Sequence, residues 1–145
     1  MKQHENDKVV LAMPAGVTGS SETATLTIDT KGYDHASVTV LRAANANTVF
    51  ASILKVEESD DNSSYTNVTA LVGGGVGGFT IPGATVTTVA SAVKMDIDTR
   101  SKKRYLKVSC TPTTAVNVAI AARLSRAEVS PTSASEAGVV GWVTG

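Results

Sequence analysis

Only two histidines, His4 and His35, and one cysteine, Cys110, occur in the 145 residues, so the side chains that most often carry nucleophilic or metal chemistry are scarce. His4 sits in a polar N-terminal stretch and His35 on the polar phase of an extended segment, which suggests no Ser-His-Asp or Cys-His pairing and no Cys/His ligand spacing. Asp96 and Asp98 are two residues apart and share one strand face; such carboxylates can exchange protons, or simply form the wet side of a strand. Asp60, Asp61 and Asn62 place several oxygens close together, as calcium requires, but without the loop spacing and terminal glutamate of an EF-hand. The plain reading is a solvated turn in which Asp and Asn bond their own backbone. Gly73, Gly75 and Gly78 satisfy GxGxxG, yet Phe79 to Gly83 follow as an extended, proline-broken run where a phosphate site needs a helix, so a flexible surface loop is expected. Arg100, Lys102, Lys103, Arg104 and Lys107 form the one dense basic run. Aromatics are 4% of the chain and only Tyr105 lies within the run, so a stacking nucleic-acid groove is not indicated. A charged hairpin tip, or contact with an acidic surface such as Glu57, Glu58, Asp60 and Asp61 of a neighbouring copy, remains for it.

The elements that would carry these residues are strands. Ala24, Leu26 and Ile28 alternate with Thr25, Thr27 and Asp29; Ala36, Val38 and Val40 with His35, Ser37 and Thr39; Leu106, Val108 and Cys110 with Tyr105, Lys107 and Ser109. Val116, Val118, Ile120, Ala122 and Leu124 continue the same period of two, with Asn117, Arg123 and Ser125 on the other phase. Val, Ile and Thr dominate, and branched side chains suit a pleated surface better than a helix. Less regular segments run through Phe50, Leu54 and Val56, and through Val89, Val93, Met95 and Ile97. Lys31-Gly32-Tyr33-Asp34, Asp98 to Lys102 and Thr111 to Thr114 supply turns, and connections this short favour antiparallel neighbours. Residues 57–78 read as one long loop region. The expected fold is all-β: a single antiparallel β-sandwich, jelly-roll-like, with extended N- and C-terminal arms. The pattern leaves the strand order open.

One domain with a real core suits 145 residues at 42% hydrophobic composition. Thirteen basic and thirteen acidic residues cancel, which removes the overall basic field of a dedicated nucleic-acid binder. Cys110 falls on the apolar phase of its strand and reads as a buried, unreactive thiol. No stretch of about 18 apolar residues could span a bilayer as a helix and the first eight residues are too polar for a secretory signal, so an intracellular soluble product is expected. The sequons at Asn62 and Asn67 are discounted on the same ground. Residues 17–130 are assigned to the sandwich, 1–16 and 131–145 to arms. Val9, Val10, Leu11 and Met13 in one arm, and Val139, Val140 and Trp142 in the other, would waste apolar surface unless they dock, on their own sheet or on a neighbouring subunit.

Lys31 to Asp34 before a strand, Leu54 to Asp61 followed by Tyr65-Thr66-Asn67-Val68, Lys103 to Val108, and Ala121 to Glu128 leading into a small-residue tail together make the chain similar to tailed-bacteriophage head decoration (cement) proteins. The resemblance runs from Lys31 onward. It implies a jelly-roll-like sandwich made in the host cytoplasm and carried in many copies on the outer surface of the virion, bridging neighbouring major capsid protein subunits and acting as a dimer or trimer. It brings no catalytic or cofactor motif, and with the charge balance and hydropathy above no enzyme activity, cofactor, metal, direct nucleic acid or membrane partner is expected. Physics then places the contacts: the terminal apolar residues for reach, and Asp60, Asp61, Lys102, Lys103 and Arg104 for register. The alternative from another class is a carbohydrate-binding β-sandwich module of a phage tail or fibre, with the Ser59 to Tyr65 loop as its ligand site and Tyr33, Tyr65, Tyr105 or Trp142 as platform.

Overall fold

Eight strands form two antiparallel sheets facing each other in a computed structural model that describes residues 7–14, 18–83 and 86–143. Strands β1 (Lys8–Ala12), β8 (Val118–Ala127), β3 (Tyr33–Arg42) and β6 (Ser91–Asp98) lie in that order in the first sheet. The second runs β2 (Ala24–Asp29), β7 (Tyr105–Thr111), β4 (Ile53–Ser59) and β5 (Thr66–Val72). Of the seven connections only β4–β5 stays within a sheet; the other six cross the sandwich, which is the double Greek key of a jelly roll.

The alternation places the core. Ala36, Val38, Val40, Ile120, Ala122, Leu124 and Ile97 of the first sheet meet Leu26, Ile28, Leu54, Val56, Leu106, Val108 and Cys110 of the second, and all are buried. Register locks the phase, because Val38 lies between Ala122 and Met95 and Val56 opposite Val108; a one-residue slip would turn a whole row toward water. The inward row of β3 ends on Arg42, which is buried. Its guanidinium donates from Nη1 to the carbonyls of Val49 (2.7 Å) and Phe50 (3.3 Å) and lies 5.3 Å from the Phe50 ring centroid, closing that end of the core.

Three expectations need correction. Lys8–Ala12, read as part of an arm, is the edge strand β1, paired with β8 from Lys8↔Leu124 to Ala12↔Ile120. Its apolar run hides the period because Val10 and Ala12 pack inward while Val9 is covered by the C-terminal segment. Thr66–Val72, read as loop, is the edge strand β5, where only Val68 is buried and a register shift between Lys55 and Glu57 breaks the pattern. The short turns do not join neighbours: Asp98 to Lys102 is a corner between sheets containing a single 3-10 turn at Thr99–Ser101, so the basic run is no hairpin tip.

Candidate functional site

Alternating connections collect at opposite ends of a jelly roll, and here the two ends differ in charge. The described parts of the connections (13–14, 18–23, 43–52, 73–83, 86–90 and 112–117) share one end, and Glu22 is the single charged residue among them. Loops 30–32, 60–65 and 99–104 share the other and carry Lys31, Asp60, Asp61, Arg100, Lys102, Lys103 and Arg104. Among the described residues, Leu11, Met13, Leu41, Val49, Ile53, Val76, Val86 and Val89 are exposed large apolar side chains at or beside the uncharged end; Met13 is 75% exposed and Val76 fully so. Val129, Val140 and Val143 are also exposed, away from this end; exposed apolar side chains gathered at one end make it a candidate interaction surface, which singly scattered ones would not.

The uncharged end is also well built. Gly73 N donates to Leu54 O (2.8 Å), Gly74 N to Phe79 O (2.8 Å) and Phe79 N to Val72 O (3.2 Å), so the glycine run is a hydrogen-bonded turn and not the flexible loop expected. A Cβ at Gly78 would stand 1.9 Å from Val72 O, which explains the glycine without phosphate. A bridge between Val49 and Gly83 and the bond from Thr113 Oγ1 to Val49 O (2.9 Å) tie three of the loops together.

At the charged end the expected complementary patches meet inside the chain. Strands β4 and β7 are neighbours with Glu57 opposite Lys107, so Glu57 pairs with Lys107 (3.2 Å) and Lys55 (3.1 Å). Lys103 Nζ reaches Asp60 (3.3 Å), its backbone N–H donates to Glu58 (3.0 Å), and Arg104 forms a fork on Asp29 (2.9 and 2.7 Å). Lys102 contacts its own neighbour Ser101. Asp61 Oδ1 accepts from Ser59 Oγ and from the N–H groups of Ser63 and Ser64, which holds its carboxyl well below the usual carboxylate range. That is the self-bonded turn; among the described residues no group of three or more acidic, His or Cys side chains converges as a metal site.

The outer face of the first sheet carries an open trough of about 430 Å3 over Ser37, Thr39 and Ala121, walled by Val9 and Arg123 on one side and by Lys94 and Asp96 on the other. Here the structure does align a serine, a histidine and an aspartate. Ser125 Oγ lies 3.3 Å from His35 Nδ1, and His35 Nε2 lies 3.9 Å from Asp96. The second distance exceeds a hydrogen bond, and the adjacent backbone N–H groups belong to sheet ladders, so the arrangement lacks the oriented base and the oxyanion donors of acyl transfer.

Of the terminal residues, Val9, Val139 and Trp142 come together in a cleft of about 320 Å3 with Asp7 and Arg123, whose ion pair is 3.2 Å. Val9 N donates to Ala137 O (2.8 Å), so the C-terminal segment lies against its own edge strand. Val10 faces the core, while Leu11, Met13 and Val140 are exposed.

The sequence pattern does not single out Val49, Ile53 and Val86, and Val89, expected on the apolar phase of a strand with Val93, Met95 and Ile97, instead lies exposed before β6. The charge-free stretches were the available signal, but nothing in the one-dimensional order puts four of them side by side.

No family model and no curated protein matches the chain. Among solved structures, it is similar to the CBM32-3 module from a family 31 glycoside hydrolase of Clostridium perfringens, at 17% identity and a TM-score of 0.37, covering 86% of this chain and 77% of that one. It is also similar to chitosan-binding module 1 from a chitosanase/glucanase of Paenibacillus sp. IK-5, at 10% identity and a TM-score of 0.35, covering 83% and 93%. Neither likeness assigns a role to any residue here.

Proposed function

We propose that this chain is a non-catalytic structural protein that decorates and cements a bacteriophage capsid, docking through the uncharged end of its sandwich onto neighbouring major capsid protein subunits. The observation that carries the docking mode is the segregation of charge, with four nearly charge-free loops at one end and the charged loops at the other. The choice of a capsid as partner rests on the sequence resemblance. A rigid sandwich with a broad apolar end suits a repeated lattice, where many weak contacts add up to avidity. Ion pairs already closed within the chain keep the opposite end soluble and turned outward.

Mixing the full chain with expanded heads tests this. Co-sedimentation at a fixed ratio to the capsid subunit, with the 43–52 and 73–90 loops at the contact by cryo-electron microscopy, is the expected result. Failure to bind heads, or stoichiometric binding to unexpanded procapsids, counts against it.

The trough on the first sheet favours a second reading, a carbohydrate-binding module of a tail or fibre. His35, Lys94, Asp96 and Arg123 surround a floor of Ser37, Thr39 and Ala121 with donors and acceptors suited to hydroxyl groups. A glycan-array signal abolished by Asp96→Ala, with no head binding, would establish this reading over the first.

A further inference from the structure

Every open sheet has rims, and this sandwich treats its four rims differently. The C-terminal segment lies on β1, a register shift disrupts β5, and β2 presents Thr25, Thr27 and Asp29 outward, with no cation of its own and with Asp29 already held by Arg104. Strand β6 is eight residues long, pairs in unbroken register with β3, and among the described residues has no strand on its other side. An uncovered rim with free backbone donors and acceptors is a template for a further strand.

We propose that β6 of one copy pairs antiparallel with β6 of a second copy about a twofold axis at Met95, joining the two first sheets into one continuous sheet. Side-chain chemistry selects both the occupant and the register. Outward along β6 stand Ala92, Lys94, Asp96 and Asp98; inward stand Val93, Met95 and Ile97. With the axis at Met95, Lys94 faces Asp96 of the other copy and Asp96 faces its Lys94, two opposite-charge cross-strand pairs. An axis at Lys94 would set two lysines against each other, and one at Asp96 two aspartates. An axis between residues would oppose inward to outward side chains. On the inner side half-buried Val93 meets Ile97 of the copy, so the apolar layer continues. The ion pair Lys94–Asp96 within one chain (2.7 Å) is exposed on both members, so exchanging it for the pair across the rim costs little. This contact uses none of the uncharged end and stands whether or not a capsid is the partner.

Sedimentation equilibrium of the full chain at low salt, with circular dichroism to confirm folding, tests the pairing. The wild type is expected to be a dimer. Lys94→Asp and Asp96→Lys are each expected to weaken self-association by at least about tenfold, because both cross-strand pairs become like-charged. An equimolar mixture of the two variants then recovers dimers, since each supplies the charge the other needs. A monomeric or trimeric wild type, a Lys94→Asp chain that dimerises as the wild type does, or a mixture that stays monomeric would overturn the proposal.

Discussion

Single side chains decide how this sandwich responds to acid and to thiol reagents. Partial burial opposes ionisation of Glu57, but hydrogen bonds from Lys55 and Lys107 outweigh it and lower the carboxyl; the Arg104 fork lowers Asp29. Hydrogen bonds from Arg100 hold Asp98 down to about 2. Each group binds its proton less tightly folded than unfolded. The stability they contribute is therefore complete above the unfolded values of 3.8 and 4.5 and disappears as pH falls through the folded ones. Urea midpoints should be flat from neutrality to about pH 5 and fall from about pH 4.5 toward pH 2. Burial pushes the Cys110 thiol up to about 11, so a thiol reagent at mildly alkaline pH should label the native chain only at the rate of unfolding; rapid labelling would contradict the buried position. Arg42→Ala removes two hydrogen bonds and leaves a void beneath loop 43–52, which should cost about 2–3 kcal/mol in urea unfolding. The burial of Cys110 was legible from its phase on the strand. That of Arg42 was not, because the same phase puts a cation in the core row and only the carbonyls of a later loop make the position tolerable.

Elements were readable where a strand has one dry face and one wet face. Strands β2, β3, β7 and β8 appear close to their expected places because each lies inside a sheet or against a full core row. The edge strands β1 and β5 departed, since an edge is shaped by what covers it. Gly138 shows this: its φ is +74° and a Cβ there would stand only 2.0 Å from Val9 O, so glycine lets the C-terminal segment lie on β1. Gly138→Ala should release that segment, seen as a red shift and easier quenching of Trp142 fluorescence, while global stability changes by less than about 1 kcal/mol because the core rows are untouched. An unchanged Trp142 spectrum would mean that its surroundings do not depend on this docking.

For the whole molecule, the polarity between the ends makes a prediction that separates docking from folding. A Val86→Asp, Val89→Asp double variant adds charge at two exposed positions in a loop that has no charged residue of its own, so its thermal unfolding should match the wild type within a few degrees. Its binding to expanded heads should fall at least tenfold, by about 1.4 kcal/mol or more; retained binding would place the contact elsewhere. The sequence by itself determined the all-β class, the four regular strands and their buried faces, because a period of two is a local property that survives without neighbours. Only the tertiary structure decided which strands are partners, that the short turns cross between sheets, that Lys103 and Lys107 of the basic run pair with Asp60 and Glu57 of the acidic one within one chain, and that four distant loops with a single charged residue share one end. Those features depend on the order in which strands are laid side by side, and that order is fixed by long-range hydrogen bonding and core packing that no local pattern encodes.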